Sequence, residues 1–215
     1  MNKKIIFFSA LLSVLLLTNL SCKKEETPAA VNEPKEDIIL LHTSYGDMYI
    51  WLYKATPLHR ENFLKLAREN YFDSTTFHRI IQNFMIQGGD PNSKDSDPAN
   101  DGQGGPGYTI PAEIRDTIKH DRGALGAART NNPQKASSGS QFYICYSKAG
   151  TQHLDGQYTV FGMVMKGQEV IDKIIVQPVE NTTTNRPVKD IRMSVKVLQK
   201  TLSEIKSEYG YTPRQ

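Results

Sequence analysis

Between Ile38 and Leu198 the apolar residues of this chain come in short runs, each broken within a few residues by Gly, Pro, Asn or Asp. Runs of that length suit strands and are too brief for a bundle of helices. Residues 38–42 and 48–53 flank the turn Ser44-Tyr45-Gly46-Asp47 and read as two strands of a hairpin. Further strands are expected over 77–81 and 84–87, parted by Gln82-Asn83, and over 124–128, 141–146, 159–164 and 191–198. Thr56-Pro57 supplies an N-cap followed by proline at the first helical position. Leu58, Phe63, Leu66 and Ala67 then give one apolar face of a helix that ends near Asn70, and a second, brief helix covers 168–174. Residues 90–107 form a long loop of Asp, Asn, Gly and Pro. Many short strands with two helices predict one α+β or mostly-β domain, a closed β-barrel with helical plugs. Leu198, Leu202, Ile205 and Tyr209 recur at helical spacing before Gly210, so 201–215 reads as a tail with a short amphipathic helix that packs back on the barrel.

The N-terminus is an address. Lys3 and Lys4 precede the mostly apolar stretch from Ile5 to Leu17, which would make a helix of about 20 Å, short of the roughly 30 Å hydrocarbon core. It reads as the apolar part of a secretory signal, and the sequence Leu20-Ser21-Cys22 at its end resembles a bacterial lipoprotein signal, with Asn19 where an aliphatic residue is usual. That resemblance implies cleavage after residue 21, lipidation of Cys22 and attachment to a membrane of the cell envelope, on the periplasmic side or at the outer membrane and open to surface exposure. Residues 22–37, with Pro28, Pro34 and mixed charges, cannot bury enough surface to fold and are expected to be a flexible linker to a domain over 38–200. Lys23-Lys24-Glu25-Glu26 resembles the acidic surface-export signals of some Gram-negative lipoproteins.

Once the signal is gone, 24 basic residues face 23 acidic ones, with no basic run, which gives no support to a nucleic-acid partner. Cys22 and Cys145 cannot build a disulfide framework. The string Gly102-Gln103-Gly104-Gly105-Pro106-Gly107 matches a dinucleotide fingerprint in letters, but no strand precedes it and Pro106 interrupts it. The acids Asp95, Asp97 and Asp101 lack the closing bidentate acid of a calcium loop, since Tyr108 stands there. The five histidines (His42, His59, His78, His120, His153) show no metal-ligand spacing, and no G-x-S-x-G string is present. Neither metal nor cofactor is expected.

The run from Phe77 to Asp90 carries the chemistry. On a strand Met85 and Gln87 share one face while Ile86 turns to the core, and Arg79 on the preceding strand comes alongside them. With Phe84 as an aromatic wall, this makes a patch of one guanidinium, one amide, one thioether and one ring, suited to a small apolar ring beside hydrogen-bonded backbone. The run Phe77-His78-Arg79-Ile80-Ile81-Gln82-Asn83-Phe84-Met85-Ile86-Gln87-Gly88-Gly89-Asp90 resembles the signature of the cyclophilins, the peptidyl-prolyl cis-trans isomerases. The resemblance continues in order through the loop from Gly104 to Glu113, then Gly123 to Arg129, Gly139 to Ile144 and Leu154 to Gly162, and covers essentially the whole domain.

The resemblance implies a closed eight-stranded antiparallel β-barrel capped by two α-helices, with its site on the outer surface. It makes Arg79 the catalytic arginine, lines a proline pocket with Phe84, Met85, Tyr143 and Leu154, and has Gln87 and Gln141 orient the substrate backbone. Ala128 and the backbone of Arg129 would flank the residue before proline. Tyr143 stands where many relatives have Phe, Tyr158 where His is common, Arg129 where Asn is common, and His153 where a Trp helps hold cyclosporin, so weak cyclosporin binding is expected. The implied activity is acceleration of X-Pro rotation in exported, proline-containing polypeptides by a monomer. Two other readings remain: a barrel of this kind that holds proline segments without turnover, and an unrelated anchored barrel with a ligand in a hollow lumen.

Overall fold

The computed structural model describes residues 33–213. The signal, Cys22 and most of the expected linker lie outside the described residues.

Among the described residues, ten strands and four α-helices follow in chain order: β1 (Lys35–Thr43), β2 (Gly46–Leu52), α1 (Pro57–Arg68), β3 (Arg79–Ile81), β4 (Met85–Gly88), β5 (Thr109–Ile110), β6 (Ala124–Ala127), β7 (Ser137–Ser138), β8 (Phe142–Cys145), α2 (Lys148–Thr151), β9 (Val160–Lys166), α3 (Gln168–Ile175), β10 (Met193–Thr201) and α4 (Leu202–Tyr209). Eight strands form one antiparallel sheet in the order β10-β1-β2-β9-β6-β8-β4-β3, and β5 pairs with β7 apart from it. The residues that lead into the two end strands meet: Thr76 bridges Arg192, Phe77 N donates to Ile191 O at 2.9 Å, and Met193 N donates to Thr75 O at 2.8 Å. The fold is thus mostly β with an eight-stranded antiparallel sheet, as expected.

Alternation along the strands explains both faces of this sheet. Ile39 and Leu41 of β1, Met48, Ile50 and Leu52 of β2, Ile86 of β4 and Phe142 and Ile144 of β8 turn to one face. There they pack with Phe63, Leu64, Leu66 and Ala67 of α1 and Val170, Ile171, Ile174 and Ile175 of α3. This interior is filled by side chains, which removes the hollow-lumen reading. The intervening residues Ile38, Trp51, Met85, Ala124, Tyr143 and Cys145 form a second apolar cluster on the opposite face. Both faces are therefore apolar, and the strands read as near-continuous apolar runs.

Several expectations shift. β1 begins at Lys35 and not at 38, because Lys35, Glu36 and Asp37 pair with Thr201, Lys200 and Gln199 of β10. Backbone pairing does not need apolar side chains, so the hydrophobic pattern ends before the strand does. Thr56 holds the N-cap position before Pro57, as expected, but its side chain does not cap: its hydroxyl donates to Tyr53 O, and the first helical N–H groups of Leu58 and His59 donate to the Glu113 carboxylate at 3.1 and 2.9 Å. Leu58 is half exposed and off the core face, and Leu64 packs there in its stead. Leu198 lies in β10 and not on the C-terminal helix.

The tail packs back as expected. Thr201 and Glu204 make a reciprocal capping box, with Glu204 N donating to Thr201 Oγ1 at 3.1 Å and Thr201 N to Glu204 Oε2 at 2.7 Å. Gly210 ends α4 at φ +65°, a left-handed conformation open to glycine at little cost. Ile205 is fully buried in the second cluster with Ile38 and Trp51. The Glu33 carboxylate accepts bonds from both the N–H and the hydroxyl of Ser203, so the chain entering β1 is tied to the start of α4.

Candidate active site

The second apolar cluster stops short of covering one part of its face, and an open pocket of about 370 Å³ lies there. Arg79, Phe84, Met85, Gln87, Ala128 and Arg129 line it on one side, and Tyr143, His153, Leu154, Gln157 and Tyr158 complete it. The register of three strands brings these residues together. Arg79 of β3 is paired with Gln87 of β4, and Gln87 in turn with Tyr143 of β8. All three point to the same face because paired residues of an antiparallel ladder share a side.

A chain of side-chain hydrogen bonds fixes the polar rim. Arg79 Nη1 donates to Gln87 Oε1 at 3.1 Å, and Gln87 Nε2 to Gln141 Oε1 at 3.1 Å. Gln141 Nε2 donates to the carbonyls of Gly102 and Gly104 at 3.0 and 2.8 Å. The loop after Asp90 thereby anchors the rim. Asp90 is buried and holds that loop through Asn92 N and Gly104 N. The other loop acids are committed as well: Asp95 and Asp97 accept backbone N–H groups, and Asp101 pairs with Arg186 at 2.9 Å. Burial pulls the Arg79 pKa down from its ordinary value, yet a guanidinium keeps its charge at any physiological pH.

The apolar floor has its own support. Met85 and Tyr143 are almost fully buried, and Phe84 stacks on the His153 ring at 5.4 Å. The Tyr143 hydroxyl lies 2.9 Å from His120 Nε2, and His120 Nδ1 lies 2.7 Å from Asp155 Oδ1. An ionised carboxylate only accepts, so Nδ1 carries the proton, Nε2 accepts from Tyr143, and the phenol donates. Burial raises the Tyr143 pKa well above the usual value, which keeps the phenol protonated. For Asp155 burial acts upward, but bonds from the His120 ring and backbone N–H outweigh it and hold the carboxyl below its ordinary range. Cys145, behind the floor, has a thiol pushed up to about 12 by burial and is no nucleophile.

Every pocket residue named from the sequence lines this cavity except Gln141, which reaches it through Gln87 and lines an adjoining groove. Sequence reasoning missed Gln157 on the wall and the pair His120 and Asp155 behind Tyr143. Asp155 and Gln157 sit inside the run Leu154 to Gly162, but no periodicity marks His120, which is brought to Tyr143 only by the fold.

Three buried histidines set an acid limit on stability. Burial lowers the pKa of His59, His78 and His120, and bonds from Glu113 and Asp155 oppose that only in part for the first and third. The folded pKa then lies below the unfolded value of about 6.5, so the unfolded chain takes up more protons as the pH falls. The stabilisation is complete above about pH 6.5 and declines as the pH falls toward the folded pKa values. The urea midpoint should be lower at about pH 5 than at about pH 7.5; an equal or higher midpoint would contradict this assignment.

Chemically, the pocket offers a fixed cation and two amides beside an apolar hollow that suits a five-membered ring. The comparisons with known proteins agree. The family model described as cyclophilin type peptidyl-prolyl cis-trans isomerase matches residues 38–197. The chain is 40% identical over 161 residues to peptidyl-prolyl cis-trans isomerase CYP18-1 of Arabidopsis thaliana, covering 73% of this chain and 92% of that protein. It is 38% identical over 159 residues to the human peptidyl-prolyl cis-trans isomerase-like 3, covering 72% and 91% of the two chains. A crystal structure of a Cryptosporidium parvum cyclophilin type isomerase in the presence of the dipeptide Ala-Pro is similar at a TM-score of 0.66 and 30% identity, over 75% of this chain and 98% of that one. An eight-stranded antiparallel sheet, an open hollow beside an arginine, and a family match over residues 38–197 converge: the chain belongs to the cyclophilin-type peptidyl-prolyl cis-trans isomerases.

Proposed function

We propose that this isomerase accelerates rotation about X-Pro bonds in exported proteins at the cell envelope, with Arg79 binding the twisted imide. The observation that carries the reading is the placement of Arg79 at the rim of a hollow lined by Phe84, Met85, Tyr143 and Leu154. Its Nη1 is spent on Gln87, and no acceptor among the described residues takes its other N–H groups. Those donors are free for a substrate.

Rotation about an amide has a barrier of about 18–20 kcal/mol. At the half-turned state resonance is broken and the prolyl nitrogen regains a lone pair. A donor aimed at that nitrogen gains little from either planar isomer and much from the twisted one, which is the differential binding that catalysis requires. A charged hydrogen bond contributes about 1.5–3 kcal/mol, or one to two decades of rate. The remainder comes from the pocket clamping the ring while Gln87 and Gln141 hold the flanking backbone. Rotation makes and breaks no covalent bond, so the step calls for no nucleophile, metal or cofactor.

The same reading has the sheet closed as a barrel, supported by the bonds between residues 74–77 and 191–193. It has a monomer act on proline-containing polypeptides, with cyclosporin bound weakly because His153 offers a smaller ring than Trp. The basic start, the short apolar stretch and Leu20-Ser21-Cys22 support a lipid anchor in the envelope. Fatty-acid labelling should mark the wild-type chain and not Cys22→Ala, and Cys22→Ala should leave the membrane fraction. Exchange NMR on an X-Pro peptide separates turnover from mere holding: acceleration by catalytic amounts of protein supports the isomerase, and binding without acceleration supports the holding module.

A further inference from the structure

The pocket continues into a second groove of about 780 Å³ that runs along the loop from Gly102 to Thr109 and past Thr130, Ala136 and Ser138. Gln87, Ala128 and Arg129 line both, so a peptide that leaves the pocket in this direction passes Arg129. Among the described residues no Asp or Glu lines either cavity, whereas Arg79, Arg129 and His153 do. Asp155, behind Tyr143, is committed to His120.

We infer that Arg129 makes this groove select proline segments that carry a carboxylate side chain close to the proline on one side. The inference rests on the isomerase reading and adds a substrate class to it. Arg129 is built to stay in place. Its guanidinium lies 4.5 Å over the Tyr158 ring, Nε donates to Gln157 O at 3.2 Å, and Nη1 donates to Thr130 O at 3.2 Å. A side chain held by a ring and two carbonyls has little rotamer freedom left to lose when a ligand arrives. Nη2 has no acceptor among the described residues, and a guanidinium edge matches a carboxylate in shape and charge. Arg79 cannot take this role without giving up its place at the reacting bond. The groove adjoins the pocket at Gln87, Ala128 and Arg129, so the preference has a direction along the peptide.

The test uses the full-length chain in detergent and peptides with Glu, Gln or Lys placed two residues before the proline or two residues after it. Binding is read by fluorescence anisotropy and turnover by exchange NMR. For a half-exposed pair, Glu should be favoured over Gln by about two- to fivefold, and Lys disfavoured by a similar factor, at one of the two positions. The ratio should shrink toward one at about 0.5 M salt, vanish in Arg129→Gln and survive in part in Arg129→Lys. No Glu preference at either position, an equal preference at both, or a preference that persists in Arg129→Gln overturns the inference. Peptides that bind with the ratio but are not turned over would sink the isomerase reading and leave this one standing. Peptides that turn over without the ratio would do the reverse, and failure of all peptides to bind overturns both.

Discussion

Arg79→Ala should lower kcat/KM for an X-Pro peptide by about ten- to a hundredfold or more, with kcat falling and KM little changed. The split follows from what the guanidinium binds. In the planar ground state the prolyl nitrogen has no lone pair to offer, so Arg79 adds little to substrate affinity; only the twisted state presents an acceptor. The fold should tolerate the change. Arg79 is half-buried on β3, at one end of the sheet order, and among the described residues its side chain bonds only to Gln87. Its neighbour Ile80 holds the strand to the core. Arg79→Lys should recover only part of the rate, because an ammonium keeps the charge but loses the planar fork fixed by Gln87. An unchanged rate in Arg79→Ala, measured beside an unchanged melting curve, would remove Arg79 from the reaction.

Gly126→Ala is the second large effect, and it acts on the floor of the pocket. Gly126 pairs with Tyr143 across β6 and β8, and a Cβ built on it would stand 2.3 Å from Tyr143 Cζ, 2.4 Å from Cε2 and 2.5 Å from the hydroxyl oxygen. Real contacts of that kind do not exist, so the ring must move. It cannot move freely, since its hydroxyl is held by His120 and its edge meets Tyr158. Overpacking at such a place costs about 1–3 kcal/mol of stability. A floor displaced by about 1 Å can cost about a hundredfold in rate. The expected result is a lower melting temperature together with a ten- to hundredfold loss of kcat/KM. Adding Tyr143→Phe should restore only part of either loss, because Cζ and Cε2 still collide. Normal activity and stability in Gly126→Ala would show that the ring has room that the geometry denies it.

These two predictions differ in how they could be reached. Arg79 was legible in the sequence through the run Phe77 to Asp90 and its resemblance to the cyclophilin signature. Gly126 was not. As a letter it is one small residue among the glycines of the chain, and its meaning is a distance to a ring seventeen positions away. The bulge between Leu125 and Gly126, which re-aims β6 beside the pocket, leaves no mark in the hydrophobic pattern either. His120 and Asp155 follow the same rule, since the order Asp155, His120, Tyr143 is a spatial order and not a chain order.

The strand and helix positions were read closely because apolar periodicity reports them directly, and the errors fell where backbone and side chains obey different demands. The stretch over residues 35–37 is polar yet paired, and Thr56 has the letters of a cap while Glu113, fifty-seven residues later, does the capping.

The sequence by itself determined which segments extend, where the chain turns, and which face of β4 carries Met85 and Gln87. Each of these depends on neighbours in the chain, and alternation along a strand is enough to settle it. Only the tertiary structure decided that two apolar faces are covered by different partners, α1 and α3 on one and α4 on part of the other, and that the uncovered remainder is the pocket. It also decided that Tyr143 needs Gly126 beneath it and His120 behind it, and that Arg129 is pinned on Tyr158 between two cavities. Those are matters of distance between segments remote in the chain, fixed by strand register and close packing, and a one-dimensional pattern carries no measure of them.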